Sequence, residues 1–557
     1  MPNESARLRV GVVCGQHAIQ RWQAEAVSRL FAVRSVEPAI WVALDQVAAP
    51  PTARADARRT EGTGLLARLT RWLPQPLRPI ALNEHSPAQL FGELFTISVP
   101  TDGTCTFDAA AIATIAAARL DAVLVLSAVR PDASDLGDPR YGVWTFGPSI
   151  SKQAPDEDLF SDPKRAALQL IRYDASGEAR VLREGRFTGH DSAGAVLKEP
   201  PIDAVLMNCA LWPAQVAQEV LLGRPDAASG STVLALTPAL EQRGAMAALS
   251  VFWKGWRKKL FPPNEVPVME WNIGLLHQPI DALLDPNASM NVRWLPPPSA
   301  GRSRSEPFGY LADDDQLNVL YRKHSVSTGQ SSIARLRPKT DNVLKRSRPM
   351  LEGAGITGYP YVVLEQGVVY VVVTHTTATD LYRLNPANDG LDRVSLLIDQ
   401  PLHAPTLFHM DDRWWLFATD PALPDAALLA FHAPKLEGPY TAHAMNPLKL
   451  DASCSRPAGT PFQRDGVWYR PTLDASERGT FSVVINRILT LTPDLFAEEP
   501  AKRMESFRGT QYGHGVRTLC AMGPITLVDG LRSPVVGASK ANASRGKRRS
   551  GSSRKRS

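Results

Sequence analysis

Cysteine is scarce in this sequence, with five residues in 557. The five stand far apart, as Cys14, Cys105, Cys209, Cys454 and Cys520, and no two form a CxxC pair. Zinc sites and disulfide frameworks need cysteines at close or regular spacing, so the sequence predicts neither. We expect reduced, buried thiols and no metal site.

Long apolar runs are also missing, since no uninterrupted stretch reaches about 18 residues, and no membrane-spanning helix is predicted. The run Val10–Cys14 near the N-terminus is too short for the apolar region of a secretory signal. We therefore expect a cytoplasmic protein. The patterns GxxxxGK[ST], GxSxG and HExxH are absent, so the sequence assigns no cofactor.

Positive charge is concentrated at the C-terminal end. The net charge is +6, yet residues 536–557 alone carry eight Lys or Arg residues and no acid, so the rest of the chain is slightly acidic. This composition predicts a disordered basic tail and no specific nucleic-acid partner for the folded body. The tail either contacts anionic membrane lipids at their surface or only solubilises the chain.

The first half of the chain has the alternation of an α/β domain. Residues 8–14 and 38–44 are β-branched runs, and residues 18–31 between them carry apolar side chains at helical spacing. This order predicts the start of a parallel sheet. Further predicted elements are a helix at 107–120, strands at 121–127, 141–146 and 204–207, and a helix at 213–222.

The second half is predicted to be all-β. Residues 362–373, 407–418 and 462–470 each read as a strand, a tight polar turn and an aromatic strand, repeated every 40 to 55 residues. Such a period is typical of β-propeller blades, and segments 308–321 and 512–529 bring the predicted number to five. The predicted domains are an α/β domain at 1–250, a Trp- and Pro-rich linker at 251–290, a propeller at 291–535 and the tail at 536–557.

Short motifs in the second half carry a family resemblance. They include Glu270–Gly274 (EWNIG), Asp412–Thr419 (DRWWLFAT), Leu436–Tyr440 (LEGPY) and Ser455–Gly459 (SRPAG). With these segments the chain resembles the family named after the N-terminal region of glucosamine inositolphosphorylceramide transferase. The resemblance implies a formyltransferase-like, Rossmann-type α/β domain followed by a five-bladed propeller similar to that of arabinanases.

The resemblance also implies where catalytic carboxylates would stand. Propeller furanosidases cleave a glycosidic bond with a pair of carboxyl groups, one acting as base or nucleophile and one as acid. The acid of the first blade is kept as Glu306, but three other expected acids fall on Arg322, Thr374 and a position near Ala404. Glycosidase chemistry is therefore not expected. Glu306, Asp474 and His514 stay as weak catalytic candidates.

Polar residues at the presumed axial face favour binding over catalysis. We predict that Arg456, Arg470, Asp474 and His514 bind a glycan or sugar-containing small molecule through hydroxyl, carboxylate or phosphate groups. The alternative is structural: Arg456 and Arg470 would pair with Asp474 or Asp465 and join the blades. Both interpretations stay open at this stage.

Two functions follow from these residues. In the first, the protein recognises a carbohydrate, or acts as a scaffold, in glycoconjugate or surface-polysaccharide assembly. In the second it transfers a formyl or glycosyl group. Residues 145–149 lack the Asn and His that the resemblance to formyltransferases implies there, and His190 with Asp191 is the nearest acid/base pair. Whether the protein is an enzyme stays open.

Overall fold

The structure is a computed structural model. It describes residues 7–46, 80–99, 107–127, 130–147, 167–187, 202–224, 231–232, 269–312, 316–325, 330–338, 347–351, 355, 358–476, 481–504 and 506–532. These residues form two compact units. The predicted His190–Asp191 pair and the basic tail lie outside the described residues.

The first unit contains a mixed eight-stranded sheet. Its strand order is β10-β9-β8-β7-β6-β1-β3-β5, and β2 pairs separately with β4. The strands are β1 (Leu8–Gly15), β2 (Ile19–Gln20), β3 (Val36–Gln46), β4 (Glu84–His85), β5 (Phe95–Val99), β6 (Ala122–Val125), β7 (Val143–Gly147), β8 (Ala167–Tyr173), β9 (Ala179–Arg186) and β10 (Ser231–Thr232). From β5 to β7 the neighbouring strands are parallel, and from β7 to β10 they are antiparallel.

Helices accompany the parallel strands of this unit. They are α1 (Arg21–Ala32), α2 (Pro87–Phe91), α3 (Ala109–Ala117), α4 (Ile202–Cys209) and α5 (Trp212–Leu221). In α1 the buried residues Trp22, Ala26, Val27 and Leu30 stand at helical spacing. The predicted order of strand, helix and parallel strand is confirmed for residues 8–46. The relation of this unit to formyltransferases stays a prediction.

One element of this unit differs from the prediction. Residues 204–207, predicted as a strand, lie inside helix α4. The buried residues of α4 are Ile202, Val205, Leu206 and Cys209, at relative positions 0, 3, 4 and 7. This is the helical period, and it becomes visible only when the window extends beyond the four apolar residues at 204–207.

The second unit is a five-bladed β-propeller. Blade 1 contains β13 (Arg302–Leu311), β14 (Leu317–Ser325), β15 (Ser331–Leu336) and β16 (Arg348–Leu351), and blade 2 contains β17 (Tyr361–Glu365), β18 (Val368–Thr374), β19 (Thr379–Asn385) and β20 (Gly390–Ile398). Blade 3 contains β21 (His403–Met410), β22 (Arg413–Thr419), β23 (Ala427–Ala433) and β24 (Thr441–Ala442), and β25 (Lys449–Leu450) follows it. Blade 4 contains β26 (Phe462–Arg464), β27 (Val467–Asp474), β28 (Ser482–Leu491) and β29 (Phe496–Met504). Strand β13 contacts β17, and β17 contacts β21, so the first strands of blades 1 to 3 are neighbours.

Blade 5 joins the two ends of the propeller. Its inner strands β30 (Val516–Met522) and β31 (Ile525–Leu531) come from the C-terminal side, and its outer strands β11 (Trp271–Leu276) and β12 (Val292–Trp294) come from the N-terminal side. Strand β11 pairs along its whole length with β31, from Trp271 opposite Leu531 to Leu276 opposite Thr526. Residues 271–276 therefore belong to a blade, although the sequence places them in the linker.

Tight turns between the first two strands of a blade match the predicted hairpins. Gln366 and Gly367, Asp411 and Asp412, and Asp465 and Gly466 all have positive φ, between 49° and 79°. Two consecutive residues of positive φ form the turn type that suits the twist of a hairpin. The five predicted blades are thus confirmed, and the apolar core lies between their sheets.

Candidate functional site

Each blade contributes one buried residue that stands in its inner strand or shortly before it. We call these residues the axial ring: Glu306, Tyr359, Ala404, Arg456 and Arg517. In blades 1 to 4 the ring residue is followed by proline. All five are buried, with 2 to 7 % of their surface exposed.

The backbone at the ring is unusual. Glu306, Tyr359 and Ala404 have φ values of 56°, 56° and 52°, in the left-handed region that non-glycine residues rarely adopt. The strand register shifts next to Glu306, Ala404 and Arg517, so the ring residues lie in bulges. Strained backbone of this kind concentrates at ligand and active sites, because a function maintains it.

A buried ion network crosses the channel at the ring. The Arg456 guanidinium donates to Glu306 Oε1 (3.3 Å) and to Asp425 Oδ1 (3.1 Å), and Arg517 Nη1 lies 3.9 Å from Glu306 Oε1. Asp425 is in the loop between β22 and β23. Blades 1 and 4 are not neighbours in a five-membered ring, so the Glu306–Arg456 contact spans the axis.

Backbone groups hold Glu306 in place as well. The Tyr359 N–H donates to Glu306 Oε2 (3.1 Å), and the Glu306 N–H donates to Asp529 Oδ2 (2.9 Å). The Tyr359 hydroxyl lies 3.1 Å from Thr406 Oγ1 and accepts from the Gly459 N–H (3.0 Å). Burial raises the pKa of Tyr359, so its hydroxyl stays neutral. The ring is therefore a rigid, interlinked set of groups.

Asp529 connects blade 5 to Glu306. Besides the Glu306 N–H, it accepts from the N–H groups of Arg517 (3.0 Å) and Thr518 (2.8 Å). Desolvation by burial raises the pKa of Asp529 to about 6, against the opposing effects of Arg517 and of these N–H groups. Burial also lowers the pKa of Arg517 to about 10, and its guanidinium lies 4.2 Å from the Trp271 ring centre.

Titration of Asp529 predicts a pH-dependent stability. Because its folded-state pKa is raised, its stabilising contribution is complete below about pH 4 and is lost as the pH rises through about 6. Relative to Asp529→Asn, the wild-type free energy of unfolding should therefore fall by up to about 3 kcal/mol between about pH 4 and pH 7. Urea denaturation of both proteins across this range measures the difference. A difference that stays constant with pH would contradict the assignment.

The side chains of His403 and Arg322 are partly exposed and stand beside the buried axial ring. His403 directly precedes Ala404, and Arg322 lies opposite Ser305 in the β13–β14 pair. Burial lowers the pKa of His403 well below its usual range, and the charges of Arg456, Arg322 and Arg517 lower it further. The neutral imidazole has no hydrogen-bond partner at Nδ1 among the described residues.

Two of the sequence-predicted site residues meet in the ring, and the other three lie elsewhere. Glu306 and Arg456 form the ion pair across the axis. Arg470 is buried in blade 4, where it donates to Glu498 (2.6 and 2.7 Å) and to the carbonyls of Cys454 and Ser455. Arg470 is thus fully engaged within the protein.

Asp474 and His514 do not contact the ring. Asp474 accepts from the N–H and hydroxyl of Ser476 and pairs with Arg503, and His514 is exposed in the loop before β30. Both arginines form ion pairs, but the partners predicted by the structural alternative, Asp474 and Asp465, are wrong, and the Arg470–Glu498 pair lies within blade 4 and joins no two blades. The partners are Glu306 and Asp425 for Arg456 and Glu498 for Arg470, whereas Asp465 lies 3.7 Å from Arg464.

The positions expected to carry further acids carry none. Ala404 is the blade 3 member of the ring and occupies the same place in its bulge as Glu306 does in blade 1. Thr374 lies at the end of β18, with its hydroxyl 3.4 Å from that of Thr379. Of the acids implied by the resemblance, Glu306 is therefore the one present in this arrangement.

Three ring-site residues escaped the sequence prediction, namely Tyr359, Asp425 and Arg517. The repeated residue–proline pairs Glu306–Pro307, Tyr359–Pro360, Ala404–Pro405 and Arg456–Pro457 are the signal that could have found the ring. The glycines at 353, 355 and 358 are a second sequence signal near the ring. They have the GxGxxG spacing of a dinucleotide-binding loop, but such a loop leads into a helix, whereas Gly358 precedes strand β17.

Gly358 lies against the ring side chains. Its φ is +101°, and an added Cβ would come within 2.6 Å of Arg322 Cδ and 3.0 Å of Glu306 Oε2. Only glycine fits this place without moving these two side chains.

Other candidate sites are not found in the part of the chain that the structure describes. No three His, Cys, Asp or Glu residues of these ranges are grouped so as to bind a metal ion. The described cysteines Cys14, Cys209, Cys454 and Cys520 are buried. Trp414 and Trp415 are both buried in separate apolar clusters, which fits core packing. No described helix is long and apolar enough to cross a membrane.

Residues 299–530 match the family model described as "Glucosamine inositolphosphorylceramide transferase 1, N-terminal". Two curated relatives carry the name Glucosamine inositolphosphorylceramide transferase 1, from Oryza sativa subsp. japonica and subsp. indica. Each is 28% identical over 250 residues, which cover 41% of this chain and 33% of the relative. The chain thus spans about a third of the length of these relatives. The predicted family resemblance is confirmed for the propeller.

Solved structures similar to the chain include an arabinanase and a family 117 glycoside hydrolase. The Bacillus subtilis arabinanase Arb43A is 14% identical with a TM-score of 0.26, over 33% of this chain and 72% of that one. A family 117 glycoside hydrolase from Zobellia galactanivorans is 10% identical with a TM-score of 0.31, over 48% of this chain and 91% of that one.

Proposed function

We propose that the propeller recognises a carbohydrate at the axial ring without cleaving it, in the assembly of a glycoconjugate or surface polysaccharide. The observation that carries this proposal is the state of Glu306. Its carboxylate is buried, paired with Arg456 across the channel and bonded to the Tyr359 N–H. It is thus a fixed structural acceptor.

Hydrolysis of a glycosidic bond needs a proton donor and a separate base or nucleophile. Two carboxylates, Glu306 and Asp425, do approach each other at the ring, but both accept from the same guanidinium of Arg456. Neither is left free to protonate a leaving group. Ala404, Thr374 and Arg322 at the other positions supply no acid. This arrangement supports binding and argues against glycosidase chemistry.

Polar groups beside the ring suit sugar recognition. His403 offers a neutral, partly exposed imidazole, and Arg322 offers guanidinium N–H donors. Sugar hydroxyl groups both donate and accept hydrogen bonds, so a neutral imidazole and a guanidinium complement them. The rigid backbone of the ring keeps these groups in place before a ligand arrives.

The names of the rice relatives favour a second candidate, transfer of a sugar. The matched segment covers only a third of those proteins, and it lies in the propeller. The formyltransferase variant of this candidate has no further support in the described residues.

A glycan array probed with the full chain tests the proposal. We expect binding to a defined set of oligosaccharides. His403→Ala should weaken the tightest of these by about tenfold, the value of one charged or well-placed polar contact. The matched control is His409→Ala, an exposed histidine at the other end of strand β21, which should leave binding unchanged. Failure of every oligosaccharide to bind, or equal binding by both variants, would contradict the proposal.

A further inference from the structure

The eight-stranded sheet of the first unit ends in an unprotected edge strand. Strand β5 is the last strand in the order of this sheet, and none of the described strands pairs with its outer side. It pairs with β3 from Val42 opposite Phe95 to Gln46 opposite Val99, without a register shift. Its five residues include no charge, no proline and no glycine. A regular, uncharged edge strand presents a row of backbone N–H and C=O groups with which another strand can pair.

The outer edge strands of the five blades, and the opposite edge of the first unit's sheet, are short or protected. Strand β29 is nine residues long but contains Glu498, Glu499 and Pro500. The register of β20 shifts twice against β19, and such bulges hinder further pairing. Strands β10, β12, β16 and β24 are two to four residues long. Because such protection prevents unwanted association, its absence from β5 indicates that another strand pairs there.

A partly exposed aromatic cluster lies next to this edge. Thr96 pairs with the residue two positions after Trp41 on β3, and alternate residues share a face, so Thr96 and Trp41 are on the same side of the sheet. The Trp41 ring stacks on Phe91, with 4.3 Å between ring centres, and meets Phe31 edge-on at 5.3 Å. Thr96 is exposed and the three rings are only partly buried, whereas Ile97 on the other side belongs to the core against α3. The described residues thus leave one side of the sheet uncovered at β5.

The sequence of β5 is complementary to itself. Residues 95, 97 and 99 are apolar, and residues 96 and 98 are Thr and Ser. A two-fold axis normal to the sheet at Ile97 would pair position 95 of one copy with position 99 of the other, 96 with 98, and 97 with itself. Residues directly opposite each other in an antiparallel pair share a face, so apolar positions would meet apolar positions and hydroxyl positions would meet hydroxyl positions. Since the strand carries no charge, no like charges would be opposed.

We infer that two copies of the chain associate through antiparallel pairing of β5, which joins their eight-stranded sheets into one continuous sheet. A second copy is the partner that the observations favour, because a two-fold interface requires one surface to complement itself, and β5 does so in residue type. The same axis places the aromatic clusters of both copies on one face, beside the shared edge. The inference goes beyond the proposed function of the propeller and does not depend on it.

Sedimentation equilibrium of the full chain between about 1 and about 100 µM tests this inference. We expect reversible conversion into a species of twice the monomer mass. Thr96→Lys should raise the dissociation constant at least about tenfold, because the two lysines would lie diagonally across the shared edge on one face, within reach of each other. Thr96→Glu should do the same, and an equimolar mixture of both variants should recover the association, since the diagonal charges are then opposite. A dimer that neither variant weakens would contradict the inference.

Thr441→Lys provides the matched control, since Thr441 is an exposed threonine on the edge strand β24 of blade 3, and this variant should associate like wild type. Hydrogen exchange distinguishes a second copy from a segment of the same chain on β5. The amides of residues 95–99 should exchange more slowly as the protein concentration rises, and Thr96→Lys should abolish this dependence. A monomer at every concentration, with exchange at β5 independent of concentration, would overturn the inference.

Discussion

Replacement of Arg456 by alanine is expected to lower the free energy of unfolding of the propeller by about 3–5 kcal/mol, the usual cost of removing one partner from a buried ion pair. The side chains of Arg456 and Glu306 are each only 3% exposed, and that of Asp425 5%. Without the guanidinium, both carboxylates stay buried and face each other, with Arg517 3.9 Å from Glu306 as the remaining cation. Urea denaturation followed by tryptophan fluorescence measures this loss.

Two further variants identify the cause of this loss. Arg413→Ala, an exposed arginine in strand β22, should change the stability by less than about 0.5 kcal/mol. The triple variant Glu306→Gln/Asp425→Asn/Arg456→Met removes all three charges and should recover most of the loss, because uncharged groups of similar volume replace buried ion pairs at little cost. A loss below about 1 kcal/mol for Arg456→Ala would show that the network is not buried as described.

Replacement of Gly459 by alanine is expected to cost more than about 4 kcal/mol or to prevent folding of the propeller. An added Cβ would lie 1.8 Å from the Leu519 carbonyl oxygen and 2.7 Å from its carbon, which are backbone atoms of the next blade. Gly459 also has a φ of +142° and donates its N–H to the Tyr359 hydroxyl. The clash therefore separates blades 4 and 5 and disturbs the ring.

Gly509→Ala provides the matched control for this prediction. Gly509 has a φ of +83°, but no heavy atom lies within 4 Å of the added Cβ. Its cost should be about 1–2 kcal/mol, from the left-handed backbone alone. Thermal unfolding of both variants separates steric contact from backbone strain. Similar melting temperatures for the two would show that blades 4 and 5 do not approach as closely as the structure places them.

Local sequence patterns predicted the hairpins because their determinants are local. The turns at Asp411–Asp412 and Asp465–Gly466 need positive φ, and aspartate and glycine tolerate it, so the turn residues mark the hairpins directly. Helix α4 was missed because four apolar residues fit a strand and a helix equally well. The eight-residue window Ile202–Cys209 resolves the difference.

Closure of the propeller could not be read from a local pattern. Strand β11 pairs with β31, and Trp271 and Leu531 are opposite each other although they are far apart in the sequence. The prolines near Trp271 instead suggested a linker. A partner strand so distant leaves no periodic signal, because periodicity reports only which face of a strand is buried.

The candidate site was predicted in part for the same reason. Glu306 was selected from the family resemblance and Arg456 as a polar residue of the presumed axial face, but their pairing joins residues 150 positions apart. Arg470 lies in the middle of β27, the second strand of blade 4, and its partner Glu498 on strand β29 became visible only in the folded sheet. Residue type indicates that an arginine can bind a ligand. Its neighbours in the fold decide whether its donors are already occupied.

Mass spectrometry of a bound oligosaccharide tests the central claim most directly. The sugar that binds most tightly is incubated for an extended time with the full chain and, in parallel, with Glu306→Gln. If the ring binds carbohydrate without cleaving it, the sugar is recovered intact from both proteins. Release of a shorter sugar by the wild type, and its loss in Glu306→Gln, would make Glu306 a catalytic residue and contradict the account.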